Sequence, residues 1–104
     1  MAMFPAAVNQ IQVEDEVRAA RLRFGPEVVS IQHSLGEDND GDPSIFFRIV
    51  LTDSASREET LADVGSDIAQ ILRDELRPYE KGLLLYCSFR SQSEQVMMKD
   101  PAWA

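Results

Sequence analysis

The sequence predicts an α+β fold: a two-layer sandwich of αββαβ order, ferredoxin-like, with a mainly antiparallel sheet and two helices on one face. Three observations predict it. Two segments carry apolar residues at spacings of three and four, three segments alternate with period two, and each alternating segment has one side rich in apolar residues. A sheet with an apolar face must cover it, and two helices with one apolar stripe each supply the cover.

Taken in order, residues 1–7 form a short apolar lead in which Met3 and Phe4 suit a sheet edge or a place under a neighbouring subunit, with residues 2–5 a candidate first strand. A helix is expected from Val8 to Phe24, with Val13, Val17, Ala20 and Phe24 on one stripe and Arg18, Arg21 and Arg23 largely off it. The alternation over Gln10–Val13 is also compatible with a brief strand. Gly25-Pro26 ends the element. A strand follows over residues 27–35, with Val29, Ile31, His33 and Leu35 on one side and Val28, Ser30, Gln32 and Ser34 on the other. The acidic loop 36–43 is dense in turn formers, and residues 44–53 form the second strand of a hairpin. There Ile45, Phe47, Ile49 and Leu51 share a side, as do Phe46, Arg48 and Val50.

The central element is a helix over Ser56–Arg77. Leu61, Val64, Ile68, Ile71, Leu72 and Leu76 form its apolar face, and Ser56 with Glu59 reads as a capping box. Glu58 and Glu59 at its start and Arg73 and Arg77 near its end agree with the helix dipole. Pro78 stops it, and Gly82 lets the chain turn back. Gly65 costs the helix about 1 kcal/mol against alanine, which a close approach to the sheet would explain. Residues 83–90 are the third strand, with Leu83, Leu85, Cys87 and Phe89 alternating against Leu84, Tyr86, Ser88 and Arg90. The tail, 91–104, reads as a polar spacer followed by Val96, Met97, Met98 and Trp103, which should pack on the body or on a second copy. The 104 residues suit a single domain, 1–104, without repeats or linkers. The αββαβ order is similar to that of the soluble carboxyl-terminal domain of cation-efflux transporters; the resemblance is one of element order, and it implies a fold rather than an activity.

Composition narrows the function classes. One cysteine, Cys87, permits no internal disulfide, and no apolar run approaches the ~18 residues of a membrane span. The start lacks the basic region of a signal peptide, so a soluble, cytoplasmic protein is expected. A net charge of −8 repels a phosphate backbone and argues against nucleic acid. The charge is −5 over residues 1–53 and −3 over 54–104, so it is not an acidic tail.

Four places carry chemistry. The uncovered sheet face should show Phe46, Arg48, Tyr86 and Arg90, and with Met97 and Trp103 these are the interface candidates, being residue types that dominate contact energies. Glu59, Asp63, Asp67 and Asp74 form an acidic stripe on the outer face of the central helix, a solvated face or a surface for a basic partner. Glu37, Asp38, Asp40 and Asp42 enrich the loop, but aligning Gly41 as the invariant glycine puts Gly36 and Phe47 at ligand positions, so no calcium hand is formed. His33 and Cys87 fall on the apolar face without metal-binding spacing or a nucleophile motif. No catalytic residue, metal or cofactor is assigned. The expectation is a homodimerising interaction module in which Tyr86→Asp or Arg48→Glu would halve the mass. The alternatives are a charge-mimicking inhibitor of antitoxin or immunity type, and a small-ligand binder or enzyme on the open sheet face.

Overall fold

The computed structural model describes residues 9–103. The lead 1–7, with its candidate first strand, and Val8 lie outside the described residues. The elements are α1 (Gln10–Arg21), β1 (Val28–Glu37), β2 (Pro43–Leu51), α2 (Glu58–Leu76), a 3₁₀ turn (Pro78–Lys81), β3 (Leu84–Ser91), α3 (Gln92–Met98) and a second 3₁₀ turn (Pro101–Trp103). The fold is α+β, and no helix among the described residues is long and apolar enough to cross a membrane.

The sheet order is β1-β2-β3, with β1 antiparallel and β3 parallel to β2. The sheet is therefore mixed rather than mainly antiparallel. The reason is the length of α2: nineteen residues rise about 28 Å, which returns the chain to the end where β2 began. In a split βαβ unit of the ferredoxin-like kind another strand separates the two parallel ones. Here β2 and β3 pair directly from Ser44–Leu84 to Leu51–Ser91.

Alternation places the core where period two predicts it. Ile31, Ile45, Phe47, Ile49 and Leu51 are buried against Val13, Val17 and Ala20 of α1 and Ile68, Leu72 and Leu76 of α2. One pair of residues is exchanged. A bulge between Val28 and Ser30 leaves Val29 without a partner opposite it, so Val28 turns to the core and Val29 is exposed. A bulge adds one residue and reverses the alternation on its far side.

The helix ends are set by local bonds. Asn9 caps α1 through Oδ1, which accepts from the amides of Ile11 and Gln12, and Gln10–Val13 is helical, not a strand. α2 begins at Glu58 without the expected box, because the Ser56 hydroxyl donates to the Thr52 carbonyl in the preceding turn. Arg77 closes α2 in the left-handed region at φ 46°, ahead of Pro78. Gly65 does approach the sheet. A Cβ there would lie 3.2 Å from Phe89 Cε2. Gly65→Ala should be close to neutral, the helix gain of about 1 kcal/mol offsetting the push on Phe89. Gly65→Val should destabilise by about 2 kcal/mol in urea unfolding, and equal stability of the two variants would mean that the ring is not confined.

Candidate functional site

The second sheet face carries Phe46, Arg48, Tyr86 and Arg90, as the alternation requires, yet it is not open along its whole length. The expected polar spacer is α3. Ser91 accepts from the Glu94 amide while the Glu94 carboxylate accepts from the Ser91 amide, a complete capping box. Ser93 donates to Asp53 from both its amide and its hydroxyl, which holds the Asp53 carboxyl below its ordinary pKa. α3 is thus fixed to the turn after β2, and Lys99, in the left-handed region at φ 51°, turns the chain back across the sheet.

That return is clasped by the two arginines. Arg48 Nε donates to the Ala102 carbonyl at 2.7 Å and Nη1 to Ser34 Oγ at 3.0 Å. The Arg90 guanidinium lies 4.1 Å from the centre of the Trp103 ring, donates to Gln95 Oε1 at 3.0 Å and is 3.6 Å from Asp100 Oδ2. Gln95 Nε2 in turn donates to the Asp100 carbonyl. Of the six interface candidates, Arg48, Arg90 and Trp103 are therefore joined to each other through the tail within one chain. Arg48→Glu would break a contact inside the chain, so it does not report on a dimer. Arg90→Ala should loosen the tail by about 1 kcal/mol, the scale of a cation–π contact. The measurement is cleavage after Lys99 under limited trypsin digestion, which should become several-fold faster than in the unmodified chain; an unchanged rate would show that the clasp contributes nothing.

Beyond the tail, Phe46 and Tyr86 stack at 5.4 Å with an interplanar angle of 14°. The Tyr86 hydroxyl donates to Asp38 Oδ2 at 2.7 Å, which raises the tyrosine pKa and lowers that of Asp38. Asp38 Oδ1 also accepts from the amides of Asp40 and Asp42, so the loop is a folded turn with carboxylates of Asp38, Asp40 and Asp42 within 4.8 Å of one another. Glu37 sits at the end of β1 instead. Met97, the sixth candidate, is 83% exposed, with Val96 at 66% and Met98 at 59%, so none of the three is buried in the body.

On the outer face of α2, Glu59, Asp63, Asp67 and Asp74 are all exposed, and Asp74 also accepts from Gln70 and faces Arg23 at 3.4 Å. The stripe is thus three carboxylates and one internal ion pair. His33 is partly buried with its ring 5.9 Å from that of Phe47, and burial pushes its pKa down. Burial raises the Cys87 thiol to about 11. His33 and Cys87 do not share neighbouring strands: both lie opposite Phe47, on either side of β2, two strand spacings or about 10 Å apart. A raised thiol without an adjacent base is a poor nucleophile.

The sequence reading missed the contributions of Asp53, Gln95 and Asp100. The signal for α3 was present, since Ser91 and Glu94 stand three apart just as Ser56 and Glu59 do. Comparison with known protein families, with curated proteins and with solved structures gives no match for this chain.

Proposed function

We propose that this chain is a homodimerising protein-interaction module. The observation that carries the reading is the row Val96, Met97 and Met98, held outward on a helix that is capped and anchored to Asp53. A fixed helix that holds three neighbouring apolar side chains in water is a surface for another protein chain. The exposed ring of Tyr86, stacked on Phe46, adds an aromatic anchor on the same sheet face. A cytoplasmic setting suits a chain whose single thiol has no disulfide partner.

Sedimentation equilibrium of the full chain tests self-association. The expected mass is twice the 11.7 kDa of one chain. A one-chain mass at concentrations on the order of 100 μM removes the dimer, since a complex that weak is no stable assembly. The apolar row is tested by the same measurement: Val96→Asp/Met97→Asp should return the mass to that of one chain, and a mass that stays doubled would show that the row is not the contact surface. The inhibitor reading is favoured by one observation, the exposure of Glu59, Asp63 and Asp67 together on α2. It requires binding to a basic protein that collapses as salt rises.

A further inference from the structure

We infer that Met97 and Met98 form an oxidation site, and that their sulfoxides, made by a peroxide, keep two copies of this chain apart. The inference rests on the dimer reading with α3 as its surface, and names what regulates that surface. Among the described residues Met97 and Met98 are the two methionines, and both are exposed, with Val96 beside them. Several ties keep α3 from rolling them under. The Ser91–Glu94 box and the bonds from Ser93 to Asp53 hold its first turn, and Gln95 is held between Arg90 and the Asp100 carbonyl. A peroxide in solvent therefore reaches both sulfurs in the free chain.

The reaction needs no second group from the protein. A sulfur lone pair attacks one peroxide oxygen, the S–O bond forms and the O–O bond breaks. The proton on the transferred oxygen leaves with the other oxygen as water. Sulfur is oxidised and the peroxide is reduced by the same electron pair. A thioether has no proton to lose, so no base is required. Cys87 differs on that point, because its nucleophile is the thiolate. Its side chain is half-buried on the core face of β3, and burial raises the thiol to about 11. Of the described sulfurs, the two on α3 are the ones an oxidant meets first.

Sulfoxidation turns a flexible apolar side chain into a polar one with a strong acceptor oxygen. On the free chain that oxygen faces water. In a contact built on Val96, Met97 and Met98 it faces side chains with no N–H or O–H to give, and a buried acceptor without a donor opposes the contact. The same burial works in both directions: pairing shields the sulfurs, and oxidation opposes pairing.

The experiment treats the full chain with hydrogen peroxide, checks its fold by circular dichroism, and follows the tryptic peptide Ser91–Lys99 by mass spectrometry alongside sedimentation equilibrium. That peptide contains Met97 and Met98 and no other sulfur. It should gain oxygen several-fold more slowly at concentrations where the chain is paired. The oxidised chain should pair about tenfold or more weakly, the scale of one buried polar atom left without a partner. Methionine sulfoxide reductases with dithiothreitol should restore the doubled mass, and dithiothreitol alone should not. In Met97→Leu/Met98→Leu, pairing measured before and after peroxide should be the same. The inference is overturned if an oxidised peptide accompanies an unchanged dimer, if peroxide weakens pairing in the double variant, or if circular dichroism shows the fold lost. Restoration by dithiothreitol alone also overturns it, since that would place the oxidation at Cys87. Each of these results leaves the dimer reading standing. A one-chain mass before any peroxide is added removes that reading and this inference with it.

Discussion

Phe47→Ala should lower the free energy of unfolding by about 4 kcal/mol, among the largest effects any single truncation in this chain would have. Phe47 is 1% exposed at the middle of the central strand. Its register neighbours are His33 on β1 and Cys87 on β3, so strands on both sides and the helices above confine the space it would leave. Nothing on three sides can collapse inward without breaking the ladder, and a cavity that cannot close carries the full penalty. A domain of this size has roughly 5–15 kcal/mol in total, so the midpoint of thermal unfolding should fall on the order of 20 °C. Phe46→Ala is the control. Phe46 is half-buried on the other face against Tyr86, and its loss should cost no more than about half as much. Equal losses in urea unfolding would mean that the two faces have been assigned the wrong way round.

Lys81→Met should cost about 3 kcal/mol although it removes no core residue. The Lys81 ammonium lies 3.0 Å from Glu16 Oε1 and donates to Glu16 Oε2 and to the Leu76 carbonyl. Both side chains are largely buried, 11% exposed for Lys81 and 21% for Glu16. The pair ties α1 to the turn after α2 and satisfies a carbonyl that the end of α2 leaves free. Removing the cation alone leaves a carboxylate in a low-dielectric gap between two helices. Removing both groups, in Glu16→Leu/Lys81→Met, should recover most of the loss, since apolar side chains of similar size need no desolvation. The check is the coupling across the four variants in urea. A sum of independent effects would show that water reaches the pair.

These two residues differ in how much of their role was legible. Phe47 follows from period two alone: once residues 44–53 form a strand, Ile45, Phe47 and Ile49 must share a side, and that side is the greasier one. Lys81 and Glu16 are 65 positions apart, and nothing local distinguishes them from solvated charges. The capping boxes make the same point. Ser56-x-x-Glu59 and Ser91-x-x-Glu94 are equivalent as patterns, but only the second is formed. A tight turn after β2 captures the first serine, while Asp53 from that turn anchors the helix that the second one starts.

Sequence by itself determined α1, α2, the three strands and, outside the bulge at Val29, the core-facing side of each strand, because the chain's periodicity is a local property and fixes which side chains share a face. Tertiary structure decided the direction of β3, the reversal at Val29, and the fate of the second sheet face, where Arg48 and Arg90 hold the tail rather than awaiting a partner. Each of these depends on where distant segments arrive in space. Backbone alternation carries no record of that; it is set by the length of α2, by one extra residue in an edge strand, and by two cations that find a carbonyl and a ring more than a few residues away.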